Sequence, residues 1–132
     1  MASSSERLLA DTHVLVWHLA SSSRLSGTAR QLMRRADARD IELIVPTMVL
    51  AEALHISERR NPDVSFEQVM NYLTAMPNAV IAALDMPIIR EARQLSSALE
   101  MHDRLIVATA RVYDAIIITR DQQLRSLART VW

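Results

Sequence analysis

Two acidic residues of this chain each follow an apolar run that is typical of a β-strand. A carboxylate in this position is better explained by a role in chemistry than by a contribution to the stability of the fold. Asp11 comes directly after the apolar residues 8–10, and Asp121 stands just beyond the β-branched run 116–118. In open α/β sheets, functional groups gather outside the carboxyl ends of the strands. We therefore expect both carboxylates at the same edge of a parallel sheet.

Two further acids lie on predicted helices. Glu52 interrupts an apolar helical stretch, and Asp103 stands at the predicted start of another helix. Structural explanations exist, because Asp103 and Asp121 are natural helix N-caps and a solvated helix face tolerates Glu52. Asp11 is the hardest to explain in this way, since the neighbouring Thr12 could serve as the cap.

As a set, the four acids indicate a bound cation. Two like charges about 4 Å apart repel by roughly 4 kcal/mol at an effective dielectric near 20. The chain has no lysine and no cysteine, so a hard divalent cation is the simplest counter-ion. Mg²⁺, with Mn²⁺ as a substitute, prefers oxygen ligands. Such a metal can activate water for attack on a phosphodiester.

The composition predicts one globular domain and excludes several kinds of site. The chain has 132 residues, half of them apolar and about a quarter charged, which suits a single core over residues 7–132 behind a flexible leader, residues 1–6. Without lysine there is no Schiff base and no P-loop. A single glycine, Gly27, argues against a glycine-rich nucleotide loop, so no nucleotide cofactor is expected.

The same composition bears on location and partners. No apolar run is long enough to cross a bilayer and no secretion signal is visible, so no membrane association is expected. The absence of cysteine fits a reducing cytoplasm. The net charge is zero, which argues against strong nonspecific affinity for nucleic acid.

Strands and helices alternate along the chain, which predicts an α/β fold with a central, mostly parallel sheet of four to five short strands flanked by helices. The predicted strands are residues 8–10, 41–45, 79–83, 116–118 and a terminal edge strand, 130–132. The predicted helices are residues 14–19, 28–37, 47–58, 65–75, 85–99, 103–112 and 121–128.

Four motifs, LLADTHVLVWHL, PTMVLAEALHI, HDRLIVATA and TRDQQL, stand in the order and approximate spacing of PIN-domain ribonucleases. Over nearly its whole length the chain most resembles the VapC-type toxins of bacterial toxin–antitoxin pairs. The resemblance implies a PIN-domain fold, Mg²⁺-dependent endoribonuclease activity, a cognate antitoxin and a homodimer. With the neutral charge, it favours one specific RNA, a tRNA or a ribosome-associated RNA, whose cleavage would inhibit translation and growth.

The resemblance also assigns residues to the site. The implied catalytic and metal-binding acids are Asp11, Glu52, Asp103 and Asp121. Asp11 and Asp103 would hold the metal directly, and Thr119 would be a small hydroxyl residue beside it. Many relatives carry a further acid and a proline before the R-L-I segment. Here Glu100 takes the place of that acid and the proline is missing, so a second metal would bind weakly or not at all.

Other interpretations remain open. The chain could be a PIN-like module with a degenerate acidic site that acts only through binding partners, although all four acids are present. It could also be a metal-dependent phosphohydrolase of another class, but the segment after Asp11 lacks the second aspartate that haloacid-dehalogenase-type enzymes need. His102 could hold a water or contact RNA, or simply start a helix. Trp17 is expected in the core or in a dimer interface, and Arg120 could contact phosphate.

Overall fold

A computed structural model describes residues 6–132; residues 1–5 of the predicted leader lie outside the described residues. Its centre is a sheet of five parallel strands in the order β3-β2-β1-β4-β5. The strands are β1 (Arg7–Ala10), β2 (Glu42–Pro46), β3 (Ala79–Ala82), β4 (Ile116–Ile118) and β5 (Thr130–Val131). This confirms the predicted α/β fold with a parallel sheet.

Six α-helices and one 3₁₀ helix flank or connect the strands. They are α1 (Thr12–Leu19), α2 (Gly27–Asp37), α3 (Thr47–Ser57), α4 (Phe66–Thr74), α5 (Met86–Arg93), α6 (Met101–Tyr113) and the 3₁₀ helix Gln122–Ser126. Local sequence sets the start of several helices: the Ser26 hydroxyl accepts from the amide of Ala29, and Ser65 with Gln68 forms a capping box. These side chains satisfy amides that have no partner within the helix.

The central strand β1 is the best-buried part of the sheet. Leu8, Leu9 and Ala10 have no exposed surface, and neither do Ile44 of β2 and Ile117 of β4. A strand that is paired on both sides and covered on both faces is buried along its whole length, and its sequence is therefore a continuous apolar run. The first polar residue after such a strand, the one following Ala10, is therefore held on a rigid support. Within residues 6–132, none of the helices has the length and hydrophobicity needed to traverse a bilayer.

The predicted helix 85–99 begins as expected, with Asp85 at the N-cap position and Met86 as the first helical residue, but it ends earlier than predicted. It ends at Arg93, because the Arg104 guanidinium from α6 donates to the carbonyls of Ala92 and Leu95 at 2.9 and 3.2 Å. Those contacts satisfy carbonyls that a longer helix would use. At the other end, the Asp85 side chain forms no capping hydrogen bond.

Two further boundaries also differ from the prediction. Helix α6 begins at Met101, so Asp103 lies within the first turn and is not the N-cap. Asp121 is a cap, since its side chain accepts from the amide of Gln123, but the helix that follows is a short 3₁₀ turn. The chain leaves that turn early because the Arg129 carbonyl must accept from the amide of Ile117 as β5 joins the sheet edge.

Candidate metal centre at the carboxyl edge of the sheet

Asp11 lies at the point where β1 passes into α1. Its Oδ1 accepts from the amide of Thr12 at 2.7 Å, so the carboxylate caps the helix that follows the strand. Burial alone would raise the pKa of Asp11, but hydrogen bonds from His102 and from that amide outweigh it and hold the pKa below its usual range. The residue is therefore a partly buried carboxylate that stays ionised.

Glu52 comes to Asp11 from the neighbouring strand–helix unit. Because β2 pairs with β1 in parallel, the helix that follows it, α3, lies next to α1. The Thr12 hydroxyl donates to Glu52 Oε1 at 2.8 Å, and Thr12 itself is only 2% exposed. A buried hydroxyl on a rigid helix start thus fixes one oxygen of a partly exposed carboxylate.

His102, near the start of α6, stands between these two carboxylates. Its Nε2 lies 3.3 Å from Asp11 Oδ1, and its Nδ1 lies 3.2 Å from Glu52 Oε1. The hydrogen bond with Asp11, together with the surrounding negative charges, raises the pKa of His102 to about 9. The ring therefore carries a positive charge near neutral pH and links Asp11 to Glu52.

The other two predicted acids lie near this cluster. Partial burial and the negative charge of Asp121 raise the pKa of Asp103, with a smaller contribution from Asp11. Asp121 is fixed by its own loop, because its amide donates to Thr119 Oγ1 at 3.1 Å while its carboxylate caps the 3₁₀ helix. The hydroxyl of Thr119 is thus engaged with the backbone that presents Asp121.

The donor set fits a divalent cation. Asp11, Glu52 and His102 each offer one ligand atom, and these atoms all lie within 4.8 Å of one another. Carboxylate oxygens suit Mg²⁺ and Mn²⁺. The imidazole of His102 could bind a metal, Mn²⁺ more readily than Mg²⁺, only after losing the proton that it carries in the metal-free site. Asp103 and Asp121 are outside that three-residue group, but their charges add to the negative potential around it.

Sequence reasoning missed the position of His102. The residue lies 91 positions from Asp11 in the chain, and no local sequence pattern indicates that the two side chains are in contact. Its one available signal was its place at the start of the helix that also carries Asp103. Two other histidines lie outside this group: His18 contacts Asp37 at 2.8 Å, and His55 is exposed.

Comparison with known proteins gives one family and a group of similar folds. A family model described as PIN domain matches residues 8–130. VapBC2 from Rickettsia felis, bound to a DNA fragment from its promoter, aligns with a TM-score of 0.69 at 14% identity, covering 96% of this chain and 98% of that one. A toxin–antitoxin complex from Klebsiella pneumoniae gives 0.68 at 20% identity, covering 95% and 96%.

A third similar structure is FitAcB from Neisseria gonorrhoeae, with a TM-score of 0.69 at 14% identity over 95% of this chain and 96% of that one. At such identities the likeness shows a common fold. The search of curated proteins found no match to this sequence.

Proposed function

The chain belongs to the PIN domain family, and we propose that it is a metal-dependent endoribonuclease, the toxin of a toxin–antitoxin pair. The observation that carries the proposal is the meeting of Asp11 and Glu52 at the carboxyl edge of the sheet, with their ligand atoms in one group with His102. Asp121 lies close enough to Asp103 for its negative charge to raise the pKa of Asp103. Such a concentration of carboxylates suits phosphodiester hydrolysis better than a structural role.

In this proposal Mg²⁺, or Mn²⁺ in its place, is held by Asp11, Glu52, Asp103 and Asp121. When bound, the metal supplies a water activated for attack and neutralises charge on the phosphodiester. Asp11 keeps its carboxylate ionised through the contact with His102. The chain's own contribution is a rigid arrangement of anionic oxygens that needs little reorganisation.

Two hydroxyl residues act as positioning residues. The Thr12 hydroxyl holds Oε1 of Glu52 through a hydrogen bond, and the Thr119 hydroxyl accepts from the amide of Asp121 and so holds the backbone that carries this acid. Thr119 directly follows β4 and Thr12 lies two residues beyond the end of β1, so the positions of both depend on the buried strands of the core. A displacement of about 1 Å in a catalytic group can cost ~10²-fold in rate, which is the effect such anchoring prevents.

The proposed partners are a protein antitoxin, an RNA and a second copy of the chain. The Klebsiella structure with the same fold is a toxin–antitoxin complex, which supports an antitoxin as the inhibitor. The RNA is a specific molecule, a tRNA or a ribosome-associated RNA in the cytoplasm, because the chain's net charge of zero gives no general attraction to phosphate.

The decisive experiment uses the purified chain, freed of any antitoxin, with tRNA and ribosomal RNA as substrates. We expect cleavage in Mg²⁺ that EDTA stops and that Asp11→Asn abolishes while the circular dichroism spectrum is kept. Asp85→Asn is the matched control, because this exposed side chain forms no capping bond. Cleavage that persists in Asp11→Asn or in EDTA would refute the proposed site.

A further inference from the structure

A cleft of about 340 Å³ opens beside the acidic cluster, and its walls are aromatic. Asp11 and Asp121 form its acidic side, where it meets the candidate metal centre. Trp17 and Trp132, the two tryptophans of the chain, both line it. His13, the second residue after Asp11, is the third ring. We call this the aromatic cleft.

The rings of the aromatic cleft are arranged around Trp17. This buried indole is the floor, and the ring centroid of Trp132 lies 6.3 Å from it in an edge-on arrangement. The exposed ring of His13 lies 5.4 Å from the same indole. Trp132 is only half-buried, so the cleft presents indole and imidazole surface to solvent. Aromatic faces left open in this way are stacking surfaces.

Arg120 completes the cleft. Its guanidinium carbon lies 5.0 Å from the centroid of the Trp17 ring, so the cation covers an indole face. The side chain is exposed, and within residues 6–132 it forms no hydrogen bond or ion pair. A guanidinium held against a ring keeps its N–H groups free at the edge of the plane. Arg120 therefore offers both a second stacking plane and donors for an anion.

A second, larger cleft of about 650 Å³ continues from the first. It shares Thr119, Arg120, Asp121 and Trp132 with the aromatic cleft and adds Arg125 and Arg129 to its lining. Arg129 is ion-paired with Asp114 at 2.8 Å, so the charge open to an anion comes from Arg120 and the exposed Arg125. Arginine is well suited to phosphate, because its planar donors match two oxygens at once. The two clefts together form one groove, with aromatic stacking surface in the smaller cleft and positively charged arginine side chains in the larger one.

We propose that the aromatic cleft is a nucleobase subsite, which holds one unpaired base of the RNA beside the acidic cluster while the arginine-lined cleft takes the adjoining phosphates. This rests on the proposed function and names the part of the substrate that the site selects. A base in the cleft must be unstacked and unpaired. The enzyme therefore cuts loops and single-stranded segments in preference to duplex RNA.

The binding test uses the two tryptophans as reporters. The full chain carrying Glu52→Gln, a residue outside the aromatic cleft, is mixed in Mg²⁺ with a single-stranded adenosine tetranucleotide. A base stacked in the cleft quenches the tryptophan fluorescence saturably. The matched probe is a tetranucleotide of abasic ribose phosphates, which retains the charge and is expected to leave the fluorescence unchanged. Equal quenching by both probes would overturn the base subsite.

Variants separate stacking from charge. Trp132→Leu is expected to weaken binding of the adenosine tetranucleotide about 5- to 100-fold, whereas Trp132→Phe, which keeps an aromatic face, retains most of the affinity. Arg120→Gln is expected to weaken binding and to reduce its salt dependence. Arg34→Gln removes the same charge from the exposed side of α2 and is the control. Equal affinity of the leucine and phenylalanine variants would refute stacking on Trp132.

Cleavage by the otherwise wild-type chain distinguishes failure of this inference from failure of the proposed function. A hairpin RNA carrying the cleaved sequence in its loop is compared with one carrying it in its stem, and we expect the loop to be cut faster. If RNA is cut in Mg²⁺ but stem and loop are cut equally, the base subsite is wrong and the nuclease stands. If the tryptophan fluorescence is quenched in a base-dependent way but no RNA is cleaved, the base subsite stands and the proposed nuclease activity is refuted.

Discussion

The hydroxyl of Thr12 offers a sharp test of how the acidic cluster is held. It donates to Glu52 Oε1 at 2.8 Å from a residue that is only 2% exposed. Thr12→Val keeps the shape of the side chain and removes only that donor. The amide of Thr12, which donates to Asp11, is unchanged by the substitution.

The two consequences of Thr12→Val differ in size. A hydrogen bond to a charged group contributes about 1.5–3 kcal/mol when its loss leaves the partner unsolvated. The Glu52 side chain is 44% exposed, so water replaces the lost donor and the free energy of unfolding changes by less than about 1 kcal/mol. The carboxylate then keeps only its contact with His102 at 3.2 Å and is held less firmly, however, so we expect RNA cleavage to fall roughly 10- to 100-fold.

Thr12→Ser is the matched variant, since it keeps the hydroxyl and removes one buried methyl group. Burial of a methylene contributes about 0.8 kcal/mol, and the small cavity left behind adds to the loss of stability. We therefore expect Ser to be the less stable variant and Val the less active one. Urea denaturation and a gel assay of RNA cleavage measure the two rankings. Normal cleavage by Val together with slow cleavage by Ser would refute the positioning role.

Three further outcomes can be measured. Mg²⁺ or Mn²⁺ at about 100 times its Kd should stabilise the fold by ~2.7 kcal/mol and raise Tm by roughly 10 °C in differential scanning fluorimetry, and an unchanged Tm would contradict a preformed metal site. The Tyr72 hydroxyl donates to Asp37 at 2.6 Å, and burial raises its pKa above the ordinary 10.0. A raised pKa gives stability that is present below pH 10 and is lost above it, so wild type should lose stability relative to Tyr72→Phe in alkaline urea titrations. Asn78 Nδ2 donates to the carbonyls of Ala36 and Ile41 at 2.9 and 2.7 Å. Asn78→Ala should therefore lower the free energy of unfolding by about 1–3 kcal/mol, and Asn78→Asp should lower it more. Equal stability of the two variants would refute that reasoning.

The sequence by itself determined the fold and the edge at which the site lies. Apolar strands separated by helical segments leave a parallel sheet as the simple solution, and a carboxylate just past such a strand must lie at its carboxyl edge. Asp11 was predictable for this reason. The capping roles of Ser26 and Ser65 were equally predictable, because a cap depends only on residues within one turn. The early end of α5 was not, because a side chain from α6 decides it.

Tertiary structure alone decided what surrounds the acids. Glu52 meets Thr12 across 40 residues of chain and His102 meets Asp11 across 91, so no local pattern could show that a threonine anchors one carboxylate and a histidine links two. The clustering of Trp17, Trp132 and Arg120 has the same origin, since β5 must join β4 before the three come together. Periodicity along a chain reports which face of an element is buried. Which side chains meet across the edge of a sheet depends on strand order, and strand order is fixed only when the whole core is packed.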